Sequence, residues 1–168
     1  MPAMLRRKFV IQGQVQGVGF RPFVYRIALD NGVTGTVSNT SEGVVIEAQG
    51  APDAVEGFGR DLHDKLPPLA QVVSRTEQEL PAVEGEEAFV IVASTGGSGN
   101  TVLISADVAT CDDCLSDMAD PANPRYLYPF TNCTNCGPRY TITRAIPYDR
   151  AQTSMACFPL CDSCRAEY

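Results

Sequence analysis

This chain of 168 residues is poor in several residue types, and each shortage excludes a class of protein. No run of apolar residues approaches the roughly 20 that a membrane-spanning helix needs. Basic residues are outnumbered, 13 against 20 acidic, and the net charge of −7 argues against general binding to nucleic acid or to an anionic membrane. The single histidine, His63, is expected at the surface or at the edge of the core rather than on a metal ion.

Cysteine is missing from the first part of the chain and concentrated in the last. Residues 1–110 contain none, and all seven cysteines lie at or beyond Cys111, so two dissimilar parts are joined here. A Gly/Ser-rich stretch between them predicts a flexible joint. The predicted division is a first domain at 1–93, a linker at 94–100, a cysteine-rich domain at 101–150 and a further cysteine-bearing stretch at 151–168.

The beginning of the chain lacks the features of a secretory signal. Three basic residues precede Phe9, but no apolar segment or small-residue cleavage site follows them. The cytoplasm is therefore the expected compartment. Because thiols stay reduced there, paired cysteines indicate metal ligands or redox centres before they indicate disulfide bonds.

The first domain has the hydrophobic periodicity of an α+β fold. Strand-like and helix-like runs alternate, and Gly and Pro residues separate them. The order is βαββαβ with one extra strand, which is the ferredoxin-like sandwich, and Asp53 is expected to cap the second helix. The predicted strands are Lys8–Gln12, Val33–Asn39, Gly43–Gln49, Ala70–Leu80 and Ala88–Ala93, and the predicted helices are Pro22–Leu29 and Pro52–Leu66.

A glycine-rich segment, Gln16-Gly17-Val18-Gly19-Phe20-Arg21, lies between the first predicted strand and helix. Two glycines separated by one residue allow successive backbone N–H groups to converge on an anion. The start of the next helix adds further N–H groups and a positive dipole end, and the fork of Arg21 can hold two phosphate oxygens. The segment indicates phosphate binding, although a plain glycine turn beside a surface arginine fits the same spacing.

Two stretches of the first domain resemble the acylphosphatase family. Gly13–Arg21 resembles the signature loop of that family. Gly35–Asn39, followed by a strand at Gly43–Glu47, is similar to the second half of the signature. The two stretches occur in the order and spacing of the family, and the resemblance covers roughly residues 6–92.

This resemblance implies both a site and a reaction. Arg21 and the backbone of Gln16–Phe20 would bind the phosphate, and Asn39 would orient the attacking water through its side-chain amide. An acyl phosphate is already activated, so positioning a water and stabilising the phosphoryl oxygens can suffice. No metal, histidine or nucleophilic serine is then required. Without the paired stretches, Asn39 would be taken for a residue at the end of a strand.

Two CxxC pairs, Cys111–Cys114 and Cys133–Cys136, are separated by 18 residues. This spacing is typical of a tetrahedral site in which four thiolates hold one Zn²⁺. A redox role is the alternative for either pair alone, but two pairs at this distance favour metal. Four thiolates leave no open position, so the predicted zinc is structural rather than catalytic.

A third CxxC pair, Cys161 and Cys164, follows 24 residues after Cys136. Two ligands cannot close a zinc site. Either Cys157 and another donor complete it, or the partner pair lies beyond Tyr168. Cys157 falls outside the spacing of the pairs, so it is expected to be a free thiol or a small buried hydrophobic residue.

The spacing of the three pairs resembles the tandem zinc fingers of the HypF family of hydrogenase-maturation carbamoyltransferases. The stretches Pro129–Arg139, Pro147–Arg150 and Arg21–Phe23 are similar to that family as well. The resemblance covers essentially the whole chain. It implies the N-terminal part of a longer enzyme, with Cys161 and Cys164 as metal ligands of a second finger that is incomplete here.

The same resemblance implies a function. The first domain would bind carbamoyl phosphate and hydrolyse its acyl-phosphate bond, and the carbamate would pass to downstream ATP-using domains. A partner hydrogenase-maturation protein would then receive the carbamoyl group. A general acylphosphatase with a zinc appendage, and a non-catalytic zinc-bearing adaptor that binds phosphate, are the alternatives. Neither nucleic acid nor membrane is an expected partner.

Overall fold

The computed structural model describes residues 4–41, 43–94, 109–129, 131, 133, 136, 142–145, 150–162 and 165. The predicted linker beyond Ser94, the cysteine-rich domain up to residue 108 and Cys164 lie outside these residues. Within the described ranges, no helix combines the length and the apolar character that crossing a membrane requires. The predicted division into domains stays a prediction.

The first domain is a five-stranded sheet with two helices, so the predicted α+β ferredoxin-like order with an extra strand is confirmed. The order across the sheet is β4-β1-β3-β2-β5, and all neighbours are antiparallel except β2 and β5. The strands are β1 (Leu5–Gln14), β2 (Thr34–Thr40), β3 (Gly43–Gly50), β4 (Gln71–Leu80) and β5 (Phe89–Ile91), and the helices are α1 (Phe20–Asn31) and α2 (Pro52–Asp64).

β1 starts earlier than its hydrophobic pattern predicts, because Arg6 can occupy a buried strand position. Its side chain is 6% exposed and forms ion pairs of 2.8 Å with Glu47 and 2.9 Å with Glu86. Paired and hydrogen-bonded in this way, a guanidinium can be buried. Glu86 belongs to the segment between β4 and β5, so this network also fixes the crossing of the chain from one edge of the sheet to the other.

Helix α1 begins two residues before its predicted start, whereas α2 begins at the predicted Pro52 but has a different cap. α1 starts at Phe20, and Gly19 is its N-cap with φ of 70°, so Arg21 stands in the first turn rather than before the helix. α2 has Ala51 as N-cap and Pro52 at its first position. Asp53 is therefore not the cap; it lies in the first turn, where its charge faces the positive end of the helix dipole.

The hydrophobic core lies between the sheet and the two helices. Phe58 of α2 is fully buried, and its ring centroid is 5.7 Å from that of Phe9 on β1 and 6.2 Å from that of Phe89 on β5. One aromatic side chain thus joins two separated strands. The remaining core side chains include Ile11, Val15, Val18, Phe20, Phe23, Val24, Ile27, Val37, Val44, Ile46, Val55 and Leu62.

The described residues of the cysteine-rich part form little regular structure. Helix α3 (Asp112–Ala119) follows Cys111, and a short 3-10 helix spans Arg150–Gln152. After α3, the chain folds back against the helix and contacts Asp117. This side chain accepts a hydrogen bond of 2.9 Å from the Asn123 amide and forms an ion pair of 3.5 Å with Arg125. Polar contacts, rather than a core, order this loop.

Candidate active site and metal centre

The segment Gln16–Phe20, called here the glycine loop, connects β1 to α1. Gly17 and Gly19 have φ of 72° and 70°, in the left-handed region that glycine adopts most readily. Val18 between them is 0% exposed, so its side chain anchors the loop in the core. Left-handed residues at this spacing shape the backbone into an anion-binding concavity. Gly19 has no side chain with which to cap α1, which leaves the first N–H groups of the helix for a ligand.

Arg21 provides the positive charge beside this loop. It stands in the first turn of α1, is 8% exposed, and lies 3.4 Å through Nη1 from the hydroxyl oxygen of Ser94. The first turn of α1 contains no acidic residue, so no carboxylate of that turn neutralises the helix dipole. A largely buried guanidinium next to a loop of N–H groups is suited to a phosphoryl group.

Asn39 lies at the same end of the domain as Arg21. It is 1% exposed and shares a face of β2 with Val37, a core residue beneath the helices. The N–H of Val92 donates to the carbonyl of Val37 at 2.9 Å, so the segment that continues to Ser94 runs beside the end of β2. Arg21 contacts Ser94. The fold thus brings the two side chains of the predicted site, from two separate stretches, to one end of the sheet.

Two residues of the site, Gln16 in the glycine loop and Ser94 beyond β5, form side-chain contacts that the sequence does not predict. The side-chain amide of Gln16 donates hydrogen bonds of 2.7 Å to the carbonyl of Thr40 and 2.9 Å to that of Gly43. The sequence pattern predicts a role in phosphate binding only for the backbone of Gln16. Ser94 contacts Arg21 because β5 places it there, and no local sequence signal marks that contact.

The predicted metal ligands Cys111, Cys114, Cys133 and Cys136 form one cluster. Their sulfur atoms all lie within 4.8 Å of one another. The sulfur–sulfur distances are 3.3 Å for Cys111 and Cys133, 3.6 Å for Cys114 and Cys136, and 3.6 Å for Cys133 and Cys136. Four thiols with this convergence can hold a single metal ion.

Local structure aims these thiols at a common point. Cys111 is the N-cap of α3, and Cys114 lies in the first turn, so the helix start supplies one pair. In the other pair, the N–H of Cys133 donates to the sulfur of Cys114 at 3.2 Å, and the N–H of Cys136 to the sulfur of Cys133 at 3.3 Å. Such bonds stabilise negative charge on sulfur.

The two buried cysteines of the cluster differ in acidity. Burial raises the pKa of the Cys114 thiol. Burial acts in the same direction on Cys136, but hydrogen bonds from Cys133 and Cys114 outweigh it and the pKa of Cys136 is lowered. The two shifts run in opposite directions because these thiols are close together and hydrogen-bonded within the cluster.

Among the described residues of the last stretch, Cys157 and Cys161 lie outside this cluster. Cys157 and Cys161 are exposed, and Cys164 lies outside the described residues. Of the two alternatives for Cys157, exposure favours a free thiol over a buried hydrophobic residue. Among the described residues, the four-cysteine group is the one set of side chains that meets the geometry of a metal site.

Comparison with known proteins identifies both parts. The acylphosphatase family model matches residues 7–91, and the HypF finger model matches residues 110–143. The carbamoyltransferase HypF2 of Cupriavidus necator is 48% identical over 161 residues, which cover 95% of this chain and 20% of that protein. The carbamoyltransferase HypF of Rhizobium leguminosarum bv. viciae is 50% identical over 151 residues, 90% of this chain and 19% of that protein.

A solved structure agrees with these relatives. The crystal structure of full-length HypF in its phosphate- and nucleotide-bound form superimposes with a TM-score of 0.93 at 44% identity, and covers 100% of this chain and 22% of that one. The present chain spans about a fifth of the length of the relatives it matches. It belongs to the acylphosphatase family and has the acylphosphatase-plus-finger organisation of the HypF carbamoyltransferases.

Proposed function

We propose that the first domain hydrolyses the acyl-phosphate bond of carbamoyl phosphate. The observation that carries the proposal is the glycine loop, whose two left-handed glycines stand directly before a helix with a buried arginine, Arg21, in its first turn. The relatives are named carbamoyltransferases, which supports a carbamoyl group as the acyl part.

In the proposed reaction, the N–H groups of the glycine loop and the guanidinium of Arg21 hold the oxygens of the phosphoryl group. Asn39 orients a water opposite the carbamoyl oxygen. The water oxygen bonds to phosphorus while the bond from phosphorus to the carbamoyl oxygen breaks, and the products are inorganic phosphate and carbamate. Positioning and charge stabilisation supply the catalysis for such a loose phosphoryl transfer.

The proposal extends to the longer protein. Carbamate is unstable in water, so the product of the first domain would be passed directly to ATP-using domains and then to a partner hydrogenase-maturation protein. The nucleotide-bound form of the full-length HypF structure supports an ATP-dependent step in such a chain. A cytoplasmic location is part of the proposal, because the cysteine ligands need a reducing compartment.

For the finger, we propose that the metal is zinc and that its role is structural. A Zn–S bond of about 2.3 Å gives a tetrahedron with edges of about 3.8 Å, and the observed sulfur–sulfur distances of 3.3 Å and 3.6 Å come close to that value. The four cysteines would bind as thiolates and close the coordination sphere. Cys161 and Cys164 are proposed as ligands of a second zinc that needs further donors.

The test of the catalytic proposal is phosphate release from carbamoyl phosphate by the 168-residue chain. Arg21→Ala should lose at least about a hundredfold in kcat/KM, since it removes the charge that faces the phosphoryl oxygens. Asn39→Ala should lower kcat more than it raises KM. Arg26→Ala is the matched control, because Arg26 is an exposed arginine of the same helix and should leave the rate unchanged.

The outcomes separate this function from its alternatives. Equal rates for wild type and Arg21→Ala would contradict the assigned site. Equal turnover of acetyl or benzoyl phosphate would favour a general acylphosphatase with a zinc appendage. Binding of inorganic phosphate without any turnover, unchanged by Asn39→Ala, would favour the non-catalytic adaptor.

A further inference from the structure

We propose that Gln16 is a positioning residue, whose side-chain amide sets the distance between the glycine loop and the hairpin that carries Asn39. The inference rests on the proposed hydrolysis and deepens it. The amide uses both of its hydrogens on this hairpin, one on the carbonyl of Thr40 at 2.7 Å and the other on that of Gly43 at 2.9 Å. With 4% of Gln16 exposed, water competes little for these bonds.

The two acceptor carbonyls lie at the turn end of the hairpin formed by β2 and β3. Thr40 and Gly43 are the last residue pair between β2 and β3, and Asn39 immediately precedes Thr40. A single amide therefore joins the glycine loop to both strands of the hairpin at the position next to the proposed water-orienting side chain. A displacement of the hairpin would be transmitted to Asn39 through one peptide bond.

The hairpin packs closely on β1, so its position is sensitive to the hydrogen bonds from Gln16. Gly43 has φ of 144°, and a Cβ atom there would lie 2.1 Å from the carbonyl oxygen of Ile11. The hairpin thus approaches the backbone of β1 as closely as a glycine allows. Gln16 follows β1 by two residues and spans the remaining gap with its side chain.

The glycine loop itself does not depend on this amide for its anchorage. Val15 and Val18 are both 0% exposed in the core, and the N–H of Phe23 bonds to the carbonyl of Gly19 at 3.0 Å as α1 begins. Loss of the Gln16 amide should leave the phosphate cradle in place and release the hairpin. The expected consequence is a misplaced attacking water with little loss of phosphate binding.

The experiment measures kcat and KM of the 168-residue chain with carbamoyl phosphate after Gln16→Met, which keeps the length of the side chain and removes its donors. We expect kcat to fall by about ten- to a hundredfold through misplacement of the water, with KM and the Kd of inorganic phosphate within about twofold of wild type. Gln14→Met is the matched control: Gln14 donates from its amide to the carbonyl of Leu69 at 2.9 Å and does not reach the hairpin by that bond. Its kcat should be unchanged.

A double-mutant cycle with Asn39→Ala distinguishes positioning from general stabilisation. If Gln16 acts through Asn39, Gln16→Met should lower kcat little further once Asn39 is alanine. Fully additive losses, an unchanged kcat, or a rise in KM that accounts for the whole effect would each overturn the proposal. If Gln16→Met does not fold, Gln16→Asn, which retains the amide but is one methylene shorter, is measured in the same cycle.

The proposed hydrolysis and the proposed role of Gln16 can be contradicted separately. If wild type and Arg21→Ala release phosphate equally, the proposed hydrolysis is wrong and the role of Gln16 falls with it. If Arg21→Ala is impaired while the Gln16 variants match wild type, the inference about Gln16 alone is wrong.

Discussion

The first domain and the finger region are held together by different means. The first domain encloses a continuous set of hydrophobic side chains between its sheet and two helices. In the described residues beyond position 108, the buried hydrophobic residues are Cys114 and Cys136, both members of the thiol cluster. Large side chains there face the solvent, among them Leu115, Leu127 and Phe158. Because the described residues of this region bury so little apolar surface, a metal held by the four cysteines is expected to supply much of its stability.

Removal of metal should have the largest effect, and this effect should be confined to the finger region. With a chelator, or with Cys114→Ser, the finger is expected to unfold, because structural zinc contributes about 10–16 kcal/mol in small fingers. The first domain should keep its thermal unfolding temperature, since its core contains no metal ligand. The measurement is an amide NMR spectrum, in which signals of residues 109–129 collapse to unfolded positions while those of residues 5–91 stay in place.

Cys157→Ser is the control for this experiment, because Cys157 is exposed and lies outside the thiol cluster. It should retain the metal of the first finger. A chelated chain whose residues 109–129 keep dispersed signals would show that the finger region has another source of stability, and the contrast between the two regions would then be wrong.

Truncation of a central core residue should have the next largest effect on stability. This effect should be confined to the first domain. Phe58→Ala removes a fully buried ring that packs on Phe9 and Phe89. We expect the free energy of unfolding of the first domain to fall by about 3–5 kcal/mol, as measured by urea denaturation, with an unchanged metal content. Phe158→Ala is the matched control, since 58% of Phe158 is exposed in the finger region. A comparable loss of stability from Phe158→Ala would contradict the view that the hydrophobic core stabilises the first domain and that metal stabilises the finger region.

Local patterns were enough to predict most of the fold. The periodicity of hydrophobic residues, with Gly and Pro at the boundaries, predicts the order of strands and helices in the first domain. The start of β1 could not be predicted in this way, because Arg6 is accommodated by Glu47 and Glu86, which lie 41 and 80 residues further along the chain. The path of the segment before β5 depends likewise on a bond of 2.9 Å from the Gln49 amide to the carbonyl of Val83.

The candidate sites also combine features that local patterns predict with contacts between distant segments that they do not. The glycine loop with Arg21, and the cysteine pairs, are local patterns whose chemistry follows from residue type and spacing. The contacts of Gln16 with the hairpin and of Arg21 with Ser94 join distant segments, so only the folded chain reveals them. Leu127 is a further case: its φ of 55° is uncommon for a residue with a branched side chain, and the sequence around it contains no signal for that conformation.

Loss of a polar link between the two helices of the first domain should have the smallest effect on stability. Asp61 accepts hydrogen bonds of 2.8 Å from the amide of Asn31 and 3.0 Å from Lys65, and these bonds lower its pKa below the ordinary value of 3.8. The stabilisation is therefore present above that value and is lost as the pH falls through the lowered pKa. Since the carboxyl is partly exposed, Asp61→Asn should lower the free energy of unfolding by no more than about 1 kcal/mol near neutral pH.

The pH dependence of this small effect is what identifies its origin. Urea denaturation near neutral pH should separate wild type from Asp61→Asn, and the two curves should converge in acid, where the carboxyl of the wild type is protonated in both folded and unfolded chains. Asp64→Asn, at an exposed position on the same helix, should match wild type across the range. A difference for Asp61→Asn that persists in acid would assign the loss to packing between α1 and α2 rather than to charge. A loss as large as that of Phe58→Ala would show that polar contacts, and not the hydrophobic core alone, distinguish the first domain from the finger.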